Sequence, residues 1–226
     1  MKTVNRPIDF AGAEGFLFDM DGTLVDSMPS WRRLNIDFLE ARGLPVPEET
    51  RADLMEMTNR SVIQEYLSRP GVTETFEDVW NEHKRRMQTY YRTSVVPKPH
   101  ALQFLRRLAE LGKPMCIATA TPMDLARPVL ERFGLLRGMA FAISSADEKL
   151  TKSKPQYYLE AAKRLHVAPE NAVMFEDALY AMQGAKAAGL QVCGVMEPMQ
   201  VRDAAEILRT CDVYIESFAD LIQDFA

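Results

Sequence analysis

Histidine and cysteine are scarce in this chain, three residues of each among 226. Cys116, Cys193 and Cys211 sit inside separate short apolar runs, PMCIAT, QVCGV and RTCDVYI, with no spacing that would clamp a zinc ion. An odd number of thiols in apolar surroundings reads as buried and reduced, which argues against a disulfide scaffold and suits a reducing cytoplasm. Basic charge is not in excess either. Lys and Arg number 27 against 32 Asp and Glu, a net charge of −5. Nucleic-acid binders ordinarily carry a basic face, so no nucleic-acid partner is expected. A small anion stays admissible, because one local site can be positive on an acidic protein. No apolar run has the length of a membrane helix, and the opening MKTVNRPIDFAGAEG lacks the apolar stretch of a secretory signal. The expectations are a cytoplasmic location and no membrane association. Internal repeats and low-complexity tracts are missing as well.

What is present is a hydrophobic fraction of 47%, enough for a core without staples. The runs GFLFD, PMCIAT, AFAIS, AVMFE and QVCGV, rich in β-branched or aromatic residues, read as buried strands. DVYIE near the C-terminus is a sixth. Helical patterns lie between most of them. Residues 101–111 place Leu102, Leu105, Leu108 and Leu111 at helical spacing before Gly112. Thr121-Pro122 reads as N-cap and first-turn proline of a helix that Gly134 ends. Residues 182–188 continue a helix closed by Gly189. Strands alternating with helices predict an α/β fold, a Rossmann-like, mostly parallel sheet covered on both faces.

Residues 28–96 break that rhythm. Helical patterns start at Pro29, at Pro47-Glu48-Glu49, at Asn59 and at Thr75, with no convincing strand among them. Phe76, Val79, Trp80, Met87, Tyr90 and Tyr91 recur at helical spacing and read as core packing. The expected organisation is a core domain of residues 1–27 and 97–226 with an inserted α-helical cap domain of residues 28–96. The connections at 26–29 and 95–99 are candidate hinges. Ligands of open α/β sheets bind beyond the carboxyl ends of the strands. An insert leaving just after the first strand is therefore expected to overhang that edge as a lid.

The chemistry concentrates at strand ends. FLFDMDGTLVDS puts Asp19 and Asp21 at the end of the first strand, and AVMFE-Asp177 puts Glu176 and Asp177 at the end of another. A lone Asp after a strand is ordinarily a turn or cap residue. Two such clusters on one rim need a cation or shared protons. Oxygen ligands with no His or Cys nearby point to Mg²⁺ rather than zinc. Thr119 ends PMCIAT, and the turn through Ala120 into a helix offers a hydroxyl and backbone N–H groups to an anion. Lys154, just before Pro155, is the candidate cation for the same site.

These residues resemble the motifs of the haloacid dehalogenase superfamily, in its phosphatase branch with a helical cap after the first strand. Asp19-Met20-Asp21-Gly22-Thr23 is similar to the first motif, Thr119 to the second, Lys154-Pro155 to the third and Glu176-Asp177 to the fourth. The resemblance extends to beta-phosphoglucomutase and to phosphoglycolate phosphatase-like hydrolases. It implies a Mg²⁺-dependent phosphatase acting on a small phosphomonoester, a sugar phosphate or a small organic acid phosphate. In that scheme Asp19 attacks phosphorus to form an aspartyl phosphate, and Asp21 shuttles protons to the leaving group and from water. Thr119, Ala120 and Lys154 hold the phosphoryl oxygens. Asp19, the backbone carbonyl of Asp21, Asp177 and, through a water, Glu176 hold the metal. Gly22 allows the tight turn and Thr23 has a structural role. The alternative is a sugar-phosphate mutase, for which Arg60 in the cap is the candidate grip on a second phosphate. Trp31 stands where such mutases carry a histidine, which favours the phosphatase. Loss of chemistry in a binding module is a third option, disfavoured because Asp19, Asp21, Lys154 and Asp177 are all present. A monomer or homodimer is expected.

Overall fold

The structure is a computed structural model that describes residues 2–57, 59–200 and 202–225. In chain order the elements are β1 Lys2–Val4, β2 Gly15–Phe18, β3 Val25–Asp26, α1 Met28–Glu40, α2 Glu48–Glu56, α3 Asn59–Leu67, α4 Phe76–Thr93, β4 Val96–Pro97, α5 Ala101–Glu110, β5 Met115–Thr119, α6 Met123–Arg132, β6 Phe141–Ser144, α7 Pro155–Leu165, β7 Ala172–Glu176, α8 Leu179–Ala187, β8 Gln191–Val195, α9 Ala204–Thr210, β9 Val213–Ile215 and α10 Ala219–Ile222. One sheet runs in the order β1-β9-β8-β7-β2-β5-β6. Its pairs are parallel except β1 against β9. The expected α/β class with its six strands is therefore observed. The strand β1 was not expected from sequence. It is a three-residue, partly exposed edge strand whose partner lies at the other end of the chain, so no local pattern marks it.

The chain divides into two compact units, residues 1–26 with 96–226, and residues 27–95. In the first unit β3 and β4 pair antiparallel, Val25 opposite Pro97 and Asp26 opposite Val96. Lys98 N also donates to Leu24 O at 2.9 Å. The two connections expected as separate hinges are thus hydrogen-bonded to each other as a short ribbon. Among the described residues no helix is long and apolar enough to cross a membrane.

The period of two along the central strands sorts the core into two faces. Phe16, Phe18 and Phe175 meet Phe104 of α5 and Phe218 on one side, with Phe18 and Phe175 stacked at 4.8 Å between ring centroids. Leu17 and Met174 face the other way, into a cluster with Tyr157 and Tyr158 of α7 and Met182 and Ala185 of α8. Asp19 and Glu176 continue the parity of Leu17 and Met174. They emerge on the side from which α7 and α8 begin.

The helical unit has its own small core of Phe38, Val62, Ile63, Tyr66 and Val79, with Phe76 and Trp80 packed against it. The sequence reading of Phe76 and Trp80 as packing residues agrees with this. Thr75 caps α4 in a reciprocal capping box with Asp78, which satisfies backbone donors that a helix start leaves unpaired. Arg42 lays its guanidinium 4.0 Å from the Phe38 ring centroid and pairs with Glu74 at 2.7 Å and Glu82 at 2.6 Å. His83 is buried against Phe38 at 4.6 Å between ring centroids, and burial holds its pKa below the usual histidine value.

Phe175 touches five aromatic rings and is fully buried. Truncation leaves a cavity that its neighbours cannot fill, so Phe175→Ala is expected to cost about 3–5 kcal/mol of folding stability. Phe175→Leu, which keeps most of the volume, should cost less. Denaturant unfolding of both variants measures the difference.

Candidate active site

Parallel pairing of β2 with β7, Phe18 opposite Phe175, sets their carboxyl ends side by side. The Asp19 amide donates to Phe175 O at 2.9 Å, which carries the pairing one step past the strand. The result is a trio, Asp19, Glu176 and Asp177, all buried, with carboxylate oxygens within 4.8 Å of one another. Asp21 stands outside this trio. It is half-buried on the turn after β2, where Gly22 N donates to Val25 O at 2.9 Å and Leu24 N to Met20 O at 2.9 Å.

The lysine of the site is Lys152, not Lys154. Lys154 is exposed and serves as the N-cap residue of α7 with an extended backbone. Its amide bonds back to Thr151 O at 3.0 Å. That turn directs Lys152 inward, where it is 2% exposed. Its ammonium donates to Asp19 Oδ1 at 2.7 Å and to Glu176 Oε2. Lys154, expected at the site from the proline that follows it, is solvated, and the buried ammonium lies two residues earlier. One signal was legible. Gly184 lies inside α8, where glycine costs about 1 kcal/mol relative to alanine. A Cβ there would fall 2.1 Å from Lys152 O. The missing side chain lets the Lys152 backbone seat directly on the helix.

Neighbours fix each acid. Thr23 Oγ1 donates to Asp177 Oδ1 at 3.1 Å and Gln200 Nε2 to Asp177 Oδ2 at 3.3 Å. Gln200 had no place in the sequence reading, since it comes from a loop after β8 with no local signature. Thr23 thus braces an acid of the trio rather than its own turn. Gly22 has φ +82°, and a Cβ on it would lie 2.4 Å from Asp177 Oδ2, so conformation and space both demand glycine. Glu176 Oε1 accepts from the amides of Asp177 at 3.2 Å and Ala178 at 3.1 Å.

On the other flank, β5 pairs with β2 in parallel, Phe18 opposite Ile117. Thr119 at its end is 1% exposed, and its Oγ1 accepts from Thr121 N at 3.0 Å. Ala120 between them is exposed. Thr121 is not the cap of α6. Pro122 holds that position, and Met123 N donates instead to Asp147 Oδ2 at 2.8 Å. The Thr121 hydroxyl goes to Asp21 Oδ2 at 2.7 Å. Arg60 is exposed on α3, its guanidinium 5.0 Å from the Phe76 ring centroid. Thr58, in the same cap loop, lies outside the described residues. His100 is an exposed residue at the start of α5.

The charge balance explains the protonation states. Burial, then the neighbouring Glu176 carboxylate, push Asp19 from 3.8 up to about 8, against the pull of Lys152. Burial, Glu176 and Asp19 likewise raise Asp177 well above the usual carboxylate range. Burial by itself would lower Lys152, but Asp19 and Glu176 outweigh it and hold the ammonium's pKa well above normal. One ammonium does not balance three buried carboxylates, so a second positive charge is favoured at the trio. The donor set is all carboxylate oxygen, which fits a hard divalent cation. Asp19, Asp177 and Glu176 are the side chains that would hold it.

A model of the haloacid dehalogenase-like hydrolase family matches residues 13–189, and the chain belongs to that family. Hexitol phosphatase A of Escherichia coli is 31% identical over 187 residues, covering 82% of this chain and 84% of that protein. Phosphoglycolate phosphatase of Shigella boydii is 28% identical over 237 aligned residues, covering 94% and 92%. The crystal structure of a family IA, variant 3 hydrolase from Entamoeba histolytica superposes with a TM-score of 0.76 at 23% identity, over 94% of this chain and 97% of that one. That last likeness speaks to the fold, a Rossmann-like core with a helical cap.

The raised pKa of Asp19 has a sign that can be tested. An acid that holds its proton more tightly when folded favours the folded state at low pH, and that contribution is lost between the unfolded and folded pKa values. Chelator-treated protein is therefore expected to lose thermal stability as pH rises from about 4 to about 8, the interval set by Asp19. Added divalent metal should raise Tm, and more at pH 8 than at pH 5, because metal and proton compete for the same carboxylates. Differential scanning calorimetry with and without metal measures both effects. A metal-induced shift that is larger at pH 5 would contradict the cluster's charge balance.

Proposed function

We propose that the protein is a Mg²⁺-dependent phosphatase that hydrolyses a small phosphomonoester, a sugar phosphate or a small organic acid phosphate, through an aspartyl phosphate on Asp19. What supports this is the difference between two acids two residues apart. Asp19 is buried with the trio and paired to Lys152. Asp21 is half-exposed and bonded to a hydroxyl. Such a contrast suits a nucleophile and a proton carrier. The relatives named as phosphatases of hexitol phosphates and of phosphoglycolate bracket the substrate class. Three free, buried cysteines agree with work in a reducing cytoplasm.

In this scheme Asp19 attacks phosphorus, the ester oxygen leaves with a proton from Asp21, and Asp21 then takes a proton from the water that opens the aspartyl phosphate. Lys152, the Thr119 hydroxyl and the loop amide of Ala120 neutralise the phosphoryl oxygens as charge shifts during transfer. Asp19, Asp177 and Glu176 would hold Mg²⁺, which when bound would supply the positive charge that offsets the carboxylates and the phosphate dianion. The alternative is a sugar-phosphate mutase, which would grip a second phosphate from the cap. Arg60, its candidate grip, stacks on Phe76.

A panel of phosphorylated metabolites with Mg²⁺, read by free phosphate, tests the function. Turnover of a sugar or organic acid phosphate is expected, and Asp19→Asn should abolish it in a protein that still folds. An Asp19→Asn variant with the parent rate would rule the nucleophile out, and isomerised sugar phosphate in place of free phosphate would select the mutase. Lys152→Ala should lower kcat/KM by on the order of 10²-fold or more, whereas Lys154→Ala should stay within about twofold, as an exposed surface charge does. The reverse order would return the role to Lys154.

A further inference from the structure

Thr121 is 7% exposed. Its Oγ1 donates to Asp21 Oδ2 at 2.7 Å, and its own amide is tied to Thr119 Oγ1 at 3.0 Å. The second bond closes the turn after β5 and fixes the backbone from which the hydroxyl reaches across to the turn after β2. Parallel pairing of β2 and β5 sets the span between those turns. A half-exposed carboxylate on a turn samples several rotamers, and a bond to one of its oxygens selects among them. A hydroxyl can donate to a carboxylate or accept from a carboxylic acid.

We infer that Thr121 is a positioning residue for proton transfer, holding the Asp21 carboxyl in the orientation that serves the leaving-group oxygen. The inference rests on the phosphatase reading. In the first half-reaction the bond from Asp19 oxygen to phosphorus forms, the bond from phosphorus to the ester oxygen breaks, and the proton of Asp21 passes to that oxygen. Thr121 acts only through Asp21. Its loss therefore matters in proportion to how badly the leaving group needs a proton, which a general structural role would not produce.

The test compares kcat/KM for phenyl phosphate and p-nitrophenyl phosphate with Mg²⁺, in the parent protein, Thr121→Val and Thr121→Ser. Phenolate is a basic leaving group that benefits from a proton, whereas p-nitrophenolate departs with little help. This constant reports only steps up to release of the phenol. Thr121→Val is expected to fall about tenfold on phenyl phosphate and less than about threefold on p-nitrophenyl phosphate, a fraction of what a lost general acid costs. Thr121→Ser should restore the parent pattern. Thr121→Ala carries the same expectation as Thr121→Val, should circular dichroism show the valine variant unfolded. Equal losses on the two esters, no loss on phenyl phosphate, or a serine variant as impaired as the valine one would overturn the inference. Parent protein that releases phosphate from neither ester nor from any phosphorylated metabolite of the panel would instead overturn the phosphatase reading beneath it.

Discussion

Three carboxylates are buried within 4.8 Å of one another at the ends of two apolar strands, and one buried ammonium, that of Lys152, stands against them. Desolvating that much negative charge is unfavourable, and a lone ion pair repays it only with good geometry and further hydrogen bonds. Much of the surrounding structure supplies those conditions. Two amides turn toward Glu176, and Thr23 and Gln200 bind the two oxygens of Asp177. Gly22 and Gly184 give up side chains so that Asp177 and the Lys152 carbonyl can come close. Local choices that weaken a helix or strain a turn are accepted where they bring charges into register.

The excess negative charge is also what gives the site its use. A cluster that balanced itself would have no affinity for a cation and no carboxylate of raised basicity. Here the imbalance favours a divalent cation at the trio. Sites of this kind trade folding stability for chemistry.

Asp19 and Asp21 show how two identical side chains acquire different behaviour from position alone. One continues the inward parity of Leu17 and meets Lys152. The other lies on the turn, half in solvent, and meets the hydroxyl of Thr121. The alternation of the strand separates them, and the flanking strands β7 and β5 supply their different partners.

By itself the sequence determined the α/β class, six strands of the sheet and the helical insert, and it put four acids, Asp19, Asp21, Glu176 and Asp177, at the ends of two strands without setting Asp21 apart from the other three. Each of these is written locally, in apolar runs of strand length, in helical spacing, or in acids placed directly after a strand. The tertiary structure alone decided which lysine meets the trio, because the two stand only two residues apart and the fold turns Lys152 inward against Asp19 and Glu176 while Lys154 caps α7 in solvent. It also decided that Gln200 braces Asp177, that Thr121 serves Asp21 rather than a helix end, and that Lys2–Val4 forms an edge strand. In each case the partner lies far away along the chain, and contacts of that kind exist only once parallel pairing has brought the strand ends together.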